Sequence, residues 1–251
     1  MTQVAAPIRP RPAEHPLLGM PKRDVITTAV LAVLTAVLFV LMAFSGTRAA
    51  IQRIDDRWLN LMVDARTPAL TGVAKVFNVL GLVVVIWPIR AVVVLFLAVK
   101  RRWWHLAAFV LAVFLSELAI GSLKTLYDRP RPPDPLVHVS GGSFPSGHSL
   151  AASATMIAIV IALFPEGPRR YWWGAGAVAF AVLMGLSRTY LAAHWLSDSV
   201  AGILMGTTLA LGAAIIVHVI RERRAARSDG VRRGGFEPPT RGLEGREGAP
   251  L

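Results

Sequence analysis

Cysteine is absent from the 251-residue chain. Without thiols the protein has no disulfide bonds, no thiolate metal ligands and no cysteine nucleophile, so covalent catalysis would need another side chain. Charged residues make up only 17% of the chain, and the 15 acidic residues are outnumbered by 27 lysines and arginines. This shortage of carboxylates leaves few oxygen ligands for a divalent cation.

Apolar residues account for 54% of the chain, and its mean hydropathy is +0.54. A water-soluble domain of this length could not bury so much apolar surface. The composition therefore predicts an integral membrane protein. The net charge of +12 does not indicate nucleic-acid binding, because many arginines lie in the tails and short loops, where they suit an anionic membrane surface.

Several apolar segments approach the length of a membrane-spanning helix, since a bilayer core of roughly 30 Å needs about 20 residues. The six predicted spans are 25–45, 78–99, 103–126, 147–164, 171–187 and 195–219. Between the first two, charged and apolar residues alternate at helical spacing, which predicts one interfacial helix lying along the membrane. We therefore expect an all-α bundle of six transmembrane helices.

Basic residues near the predicted helix ends indicate the orientation of the bundle. Lys100–Arg102, Arg169–Arg170 and the basic stretch after the last span lie on one side of a six-helix bundle, together with Lys22 and Arg23. The positive-inside rule makes that side cytoplasmic, so both termini are expected there.

The domain boundaries follow from composition. Segments 1–24 and 221–251 are rich in proline, glycine or charge, and are predicted to be disordered cytoplasmic tails. A single transmembrane domain, 25–220, separates them.

The loops 127–146 and 188–194, predicted to face outward, and the adjoining helix ends carry more polar chemistry than membrane anchoring requires. Positive charge could come from Lys124, Arg129, Arg131 and Arg188, and acid, base and nucleophile from His148, His194 and Asp198. Each residue alone also has a structural explanation. Lys124 could snorkel to the interface, Ser146 could cap the following helix, and His194 could hydrogen-bond to an acid one helical turn away.

The joint occurrence of these residues favours an anion-binding site. The stretch "VSGGSFPSGH" at 139–148 brings glycine and serine to a helix N-terminus, where backbone N–H groups have no partner within the helix. Arginine offers a planar fork to phosphate oxygens, so phosphate is the natural occupant. A metal site is disfavoured, because the cationic cluster would repel a divalent ion.

The order of these residues resembles the type 2 phosphatidic acid phosphatase (PAP2) superfamily, a set of lipid phosphatases related to vanadium haloperoxidases and bacterial acid phosphatases. The matching pattern is Lys124, six residues, "RP" at 131–132, twelve residues, "PSGH" at 145–148, 38 residues, "SR" at 187–188, five residues, His194, three residues and Asp198. The resemblance covers about residues 25–220, and it implies a helical core like that of the haloperoxidases.

The resemblance implies a role for each matched residue. His194 is expected to attack phosphorus and form a phosphohistidine, Asp198 to accept a hydrogen bond from its other ring nitrogen, and His148 to protonate the leaving oxygen. The phosphoryl oxygens would be held by Lys124, Arg131, Ser146, Gly147 and Arg188. The resemblance implies no cofactor and no metal. Arg129 lies outside the matched pattern and has no implied role.

The substrate should be a lipid phosphate, because the candidate site lies at the membrane face of a helix bundle. We expect undecaprenyl diphosphate, with phosphatidic acid and phosphatidylglycerol phosphate as alternatives. Phosphoryl transfer to another lipid, and a non-catalytic lipid-binding or transport role, are alternative functions. The excess of arginine over lysine is associated with GC-rich bacterial genomes. It favours a bacterial plasma-membrane protein with its site on the extracytoplasmic side; nothing in the sequence indicates the oligomeric state.

Overall fold

The computed structural model describes residues 17–18 and 21–234. Over these residues the regular secondary structure is helical, and none of them forms a strand. The helices are α1 Pro21–Ala43, α2 Ser45–Asp64, α3 Pro68–Leu80, α4 Val83–Val99, α5 Trp103–Tyr127, α6 Gly147–Leu163, α7 Pro168–Tyr190 and α8 Leu196–Gly234. The predicted all-α class is therefore confirmed.

Helix length and composition support a membrane protein. Three described helices, α1, α5 and α8, are long and apolar enough to cross a membrane, and the number is four if α3 and α4 form one bent span. Helix α6 is apolar but has only 17 residues. The count of six spans and the cytoplasmic termini remain predictions.

The segment before α4 differs from the expected arrangement. In place of one interfacial helix, the chain forms α2 and α3, and α3 begins with Pro68 after the capping residue Thr67, whose side chain accepts a hydrogen bond from Leu70 N. The predicted start of the second span at residue 78 was wrong. That helix breaks at Gly81 and Leu82, and α3 and α4 meet there at 53°, which hydropathy cannot reveal because both sides of the break are apolar.

Helix α6 lies at the centre of the bundle. All of its residues from Ser149 to Thr155 are buried, and small side chains let neighbouring helices approach closely. On α8, a Cβ at Gly206 would overlap the Ser153 hydroxyl and the Leu150 carbonyl. This close packing explains how a short helix carrying several serines is accommodated in an apolar core.

The chain divides into two compact units after His218. The first contains every residue of the candidate site. The second begins at Val219 and includes the end of α8, so residues 221–234 of the predicted C-terminal tail are helical. Residues 235–251 and most of the predicted N-terminal tail lie outside the described residues.

Candidate active site

The start of α6 is held in place by Ser146 and Asp198. Ser146 caps the helix, and its hydroxyl oxygen accepts hydrogen bonds from Ser149 N at 3.4 Å and Ser149 Oγ at 3.0 Å. Its own backbone N–H donates to the Asp198 carbonyl at 3.0 Å. The first turn of α6 is thus fixed against the start of α8, with its N–H groups at the free end of the helix.

Three cations surround this helix start. Lys124 lies in the last turn of α5 beside Gly147, where a Cβ would lie 3.8 Å from Lys124 Nζ. Lys124 also interacts electrostatically with Arg131 and Arg188. Among the described residues, none of the ion pairs involves any of the three. Three clustered cations without a paired carboxylate favour an anionic ligand.

Arg131 is oriented mainly by backbone oxygens. Its guanidinium donates to the carbonyls of Ser140, Gly141, Gly142 and Ala193 at 2.7–3.1 Å. Burial lowers the pKa of Arg131, and the charge of Asp198 opposes this. The guanidinium is therefore held rigidly by neutral acceptors while its positive charge stays available to a ligand.

The hydrogen bonds of His194 define its tautomer. Nδ1 lies 2.7 Å from the Ser143 carbonyl oxygen, which can only accept, so Nδ1 carries the proton. Nε2 then holds a lone pair and accepts from Arg131 Nη1 at 3.2 Å. Burial lowers the pKa of His194 to about 4, while the hydrogen bond and charge of Asp198 oppose the shift. At neutral pH the ring is neutral, with an unprotonated nitrogen among the cations.

The second histidine, His148, is seated against the break between α3 and α4. It hydrogen-bonds to the Asn78 backbone and interacts electrostatically with Arg188 and His194. Its ring occupies the space that a Cβ on Gly81 would take. His148 Nε2 is buried and has no hydrogen-bond partner among the described residues, as expected for an atom that serves a bound ligand.

Asp198 has closer partners than His194. Its Oδ1 accepts from Arg129 Nη1 at 2.6 Å, and its Oδ2 accepts from Trp195 N at 2.9 Å. The His194 Nδ1 atom lies 3.5 Å from Oδ2. In this geometry the Ser143 carbonyl makes the short contact with Nδ1, and Asp198 supplies a negative charge beside the same ring edge.

All eight residues predicted for the site lie in one cluster, although their roles remain predictions. Three further residues at the site, Ser143, Asn78 and Asp55, were not predicted from the sequence, and Arg129 had no predicted role. Asp55 lies on α2, is 1% exposed, and pairs with Arg129 at 2.7 Å. No signal in the sequence separated it from the adjacent Asp56, which is exposed.

These observations define a class, that of helical membrane proteins with a buried histidine among clustered cations. Comparison with known proteins specifies the family. Residues 101–223 match the model of the PAP2 superfamily. Phosphatidylglycerophosphatase B of Bacillus subtilis is 30% identical over 178 residues, which cover 68% of this chain and 87% of the relative. Lipid A 1-phosphatase of Rhizobium etli is 34% identical over 79 residues, which cover 32% of this chain and 31% of that relative.

Two solved structures share the fold. A crystal structure of a transmembrane PAP2-type phosphatidylglycerolphosphate phosphatase from Bacillus subtilis has a TM-score of 0.67 and 27% identity, covering 78% of this chain and 96% of that one. The crystal structure of Aquifex aeolicus LpxE has a TM-score of 0.52 and 26% identity, and the match covers 62% of this chain and 91% of that one. The chain belongs to the PAP2 superfamily, and it is a lipid phosphatase.

Proposed function

We propose that the protein hydrolyses lipid phosphates without a metal, through a phosphohistidine on His194. The observation that carries this proposal is the His194 tautomer. Nδ1–H donates to the Ser143 carbonyl, which leaves the Nε2 lone pair beside Arg131 and within the cationic cluster. A buried neutral imidazole with a directed lone pair is suited to attack an anion that three cations hold in place.

In the first step the Nε2 lone pair forms a bond to phosphorus, and the bond from phosphorus to the lipid oxygen breaks. The negative charge of the bound phosphate favours the protonated form of His148. Protonated His148 gives its proton to the lipid oxygen, and the lipid alcohol leaves. In the second step neutral His148 takes a proton from water as the water oxygen attacks phosphorus. The phosphorus–nitrogen bond breaks, phosphate is released, and His148 is again protonated.

The lipid substrate is the part of the proposal that rests on relatives. A relative that aligns over most of its length is a phosphatidylglycerophosphatase, and a similar solved structure is a phosphatidylglycerolphosphate phosphatase. We therefore favour phosphatidylglycerophosphate. Undecaprenyl diphosphate, expected from the sequence, and phosphatidic acid are the competing substrates that an assay has to separate.

The test is phosphate release by purified protein in detergent from these three lipids. We expect the highest kcat/KM with phosphatidylglycerophosphate, insensitivity to EDTA, inhibition by vanadate, and a loss of more than about 10³-fold in His194→Ala. His138→Ala is the matched control, because His138 is exposed in the loop before α6. Normal turnover by His194→Ala would refute the nucleophile, and activity restored by a divalent ion after EDTA would refute the metal-free reaction.

We place the site on the extracytoplasmic side of a bacterial plasma membrane, within a bundle of six spans. The absence of cysteine makes single-cysteine labelling straightforward. Leu136→Cys, in the loop before α6, should react with an impermeant reagent added outside intact cells. Pro168→Cys, at the start of α7, should react only after permeabilisation. The reverse labelling pattern would show that the site faces the cytoplasm.

A further inference from the structure

Arg129 lies between two carboxylates that belong to distant parts of the chain. Its Nη1 donates to Asp198 at 2.6 Å, and its Nη2 donates to Asp55 at 2.7 Å. The guanidinium also packs over the Trp195 ring, 5.4 Å from the ring centre. Arg129 is 4% exposed. Arg129 therefore connects α2 to Asp198, which lies beside the proposed nucleophile His194.

Asp55 makes a second connection to the same place. Its Oδ1 accepts from Ser197 N at 2.9 Å, and its Oδ2 accepts from Ser197 Oγ at 2.6 Å. Ser197 lies in the first turn of α8, where a carboxylate satisfies N–H groups that have no partner within the helix. One side chain on α2 thus holds both Arg129 and the turn that carries Asp198.

The charges of this cluster do not cancel. Two carboxylates, Asp55 and Asp198, and one guanidinium, Arg129, give a net charge of −1. His194 lies beside the cluster, with Nδ1 3.5 Å from Asp198 Oδ2. The ring is neutral before attack, but it becomes positively charged when Nε2 is bonded to phosphorus and Nδ1 keeps its proton. A buried negative charge at this distance favours the phosphorylated ring.

We propose that Asp55 is a positioning residue for the reaction: through Arg129 it sets both the place of Asp198 and the excess negative charge that stabilises phosphorylated His194. This inference rests on the proposed function, because it requires His194 to be the nucleophile. Arg129 acts in the same way and does not bind the substrate phosphate. Helix α2, which hydropathy marks only as interfacial, thereby becomes part of the catalytic apparatus.

A purely structural role would have a different kinetic consequence. If Asp55 only held α2 against α8, its loss would impair both chemical steps or the amount of folded protein. A charge effect acts on the two steps in opposite directions, because the positive ring appears when the phosphoenzyme forms and disappears when it is hydrolysed. The rates of formation and breakdown of the phosphoenzyme therefore separate the two explanations.

The experiment is quench-flow with phosphatidylglycerophosphate labelled in its terminal phosphate. Asp55→Asn changes the cluster charge from −1 to 0 and keeps the size of the side chain. We expect formation of the phosphoenzyme to slow by about 10–100-fold, the loss that a missing charge-assisted hydrogen bond causes. Breakdown should not slow, and KM should change little. Asp64→Asn, the same substitution at an exposed position of α2, should match the wild type, and Asp55→Glu should restore much of the rate.

A second variant moves a negative charge toward Arg129, and it tests the charge effect even if Asp55→Asn does not fold. Gln52 Oε1 accepts from Arg129 Nη2 at 2.5 Å, and Gln52 Nε2 donates to Asp56 at 2.8 Å. The double substitution Gln52→Glu with Asp56→Asn keeps the net charge of the protein. It moves the carboxylate from position 56 to position 52 and the amide from position 52 to position 56. Because the added negative charge stabilises the phosphorylated ring, the phosphoenzyme should accumulate and break down about two- to fivefold more slowly. This is the size of effect expected from a partly exposed charge pair.

The possible results are distinct. Turnover by His194→Ala would refute the proposed nucleophile whatever the Asp55 variants do. An inactive His194→Ala, together with Asp55→Asn behaving like Asp64→Asn, would refute only the role of Asp55. Equal slowing of formation and breakdown, or no accumulation in the charge-moving double variant, would overturn the charge effect.

Discussion

Arg129 and Arg90 are both buried, and their surroundings differ in charge. Arg129, in the loop after α5, is 4% exposed, and Arg90, within α4, is 2% exposed. Arg90 donates to Thr155 Oγ1 on α6 at 3.0 Å and to Glu117 Oε1 on α5 at 2.6 Å. Both arginines thus join helices that are far apart in sequence.

The carboxylate partners of the two arginines are not equivalent. Arg129 has Asp55 and Asp198, both almost fully buried, whereas Arg90 has Glu117 alone, whose side chain is 37% exposed. Arg90 and Glu117 line a cavity of about 490 Å³ whose other walls are apolar, and Arg90 Nη2 has no partner among the described residues. The Arg129 cluster thus contains one more buried carboxylate than guanidinium, whereas Arg90 and Glu117 match in charge. In the proposed function the first arrangement also supports the reaction, whereas the second only joins helices.

The largest expected effect is the loss of the arginine beside the active site. Arg129→Met would leave Asp55 and Asp198 buried together without a cation, which should cost about 3–5 kcal/mol of stability and remove activity. Arg90→Met leaves only the half-exposed Glu117 and should cost less. Thermal unfolding of both variants in detergent measures the difference. Equal decreases in Tm would contradict the distinction between the two clusters.

The pH dependence of stability should report the burial of His194. Its pKa is about 4 in the folded protein, below the ordinary value of about 6.5. The unfolded chain therefore binds a proton at a pH where the folded protein does not. Stability from the neutral ring is complete above about pH 6.5 and is lost as the pH falls toward 4. Between those values the Tm of the wild type should fall further than that of His194→Asn; parallel curves would contradict this.

A smaller effect, on kcat, is expected from a substitution at Gly81, where α3 and α4 meet. Gly81→Ala would place a Cβ in the space of the His148 ring, and displacement of the proposed proton donor should lower kcat by about 10–100-fold. Gly72→Ala on α3 is the control, since no atom lies within 4 Å of its Cβ position. Full activity in Gly81→Ala, measured as phosphate release, would show that the position of His148 does not depend on this contact.

The smallest effect is expected when the Arg90 pair is replaced as a unit. Replacing a buried ion pair by apolar residues of similar volume is often neutral for stability. Arg90→Met with Glu117→Met should therefore unfold within about 1 kcal/mol of the wild type and keep its activity. The corresponding Arg129→Met with Asp55→Leu should be inactive, because Asp198 then lacks its guanidinium partner. Loss of activity in the Arg90 double variant would assign that pair a role in the reaction.

The helical class was predictable from local patterns, and the residues of the candidate site were predictable from the order and spacing of their motifs. Motif spacing places Ser146, Gly147 and His148 at one helix start, and the structure brings Lys124, Arg131, Arg188, His194 and Asp198 to the same place. The partners of these residues were not predictable. Glu117 pairs with Arg90, 27 residues away, and nothing in the sequence indicated that pairing. The 53° break between α3 and α4 was equally hidden, because apolar residues continue through it.

The sequence by itself determined that this is a helical membrane protein, and it predicted a phosphate-binding histidine site, because apolar composition, residue type and motif spacing are properties of the chain. Only the tertiary structure decided that the Ser143 carbonyl sets the tautomer of His194, and that Asp55 is buried while Asp56 is exposed. It also decided that Arg129 lies between two carboxylates. The energies of these pairings depend on distance and on exclusion of water, and both arise only when α2, α6 and α8 pack together.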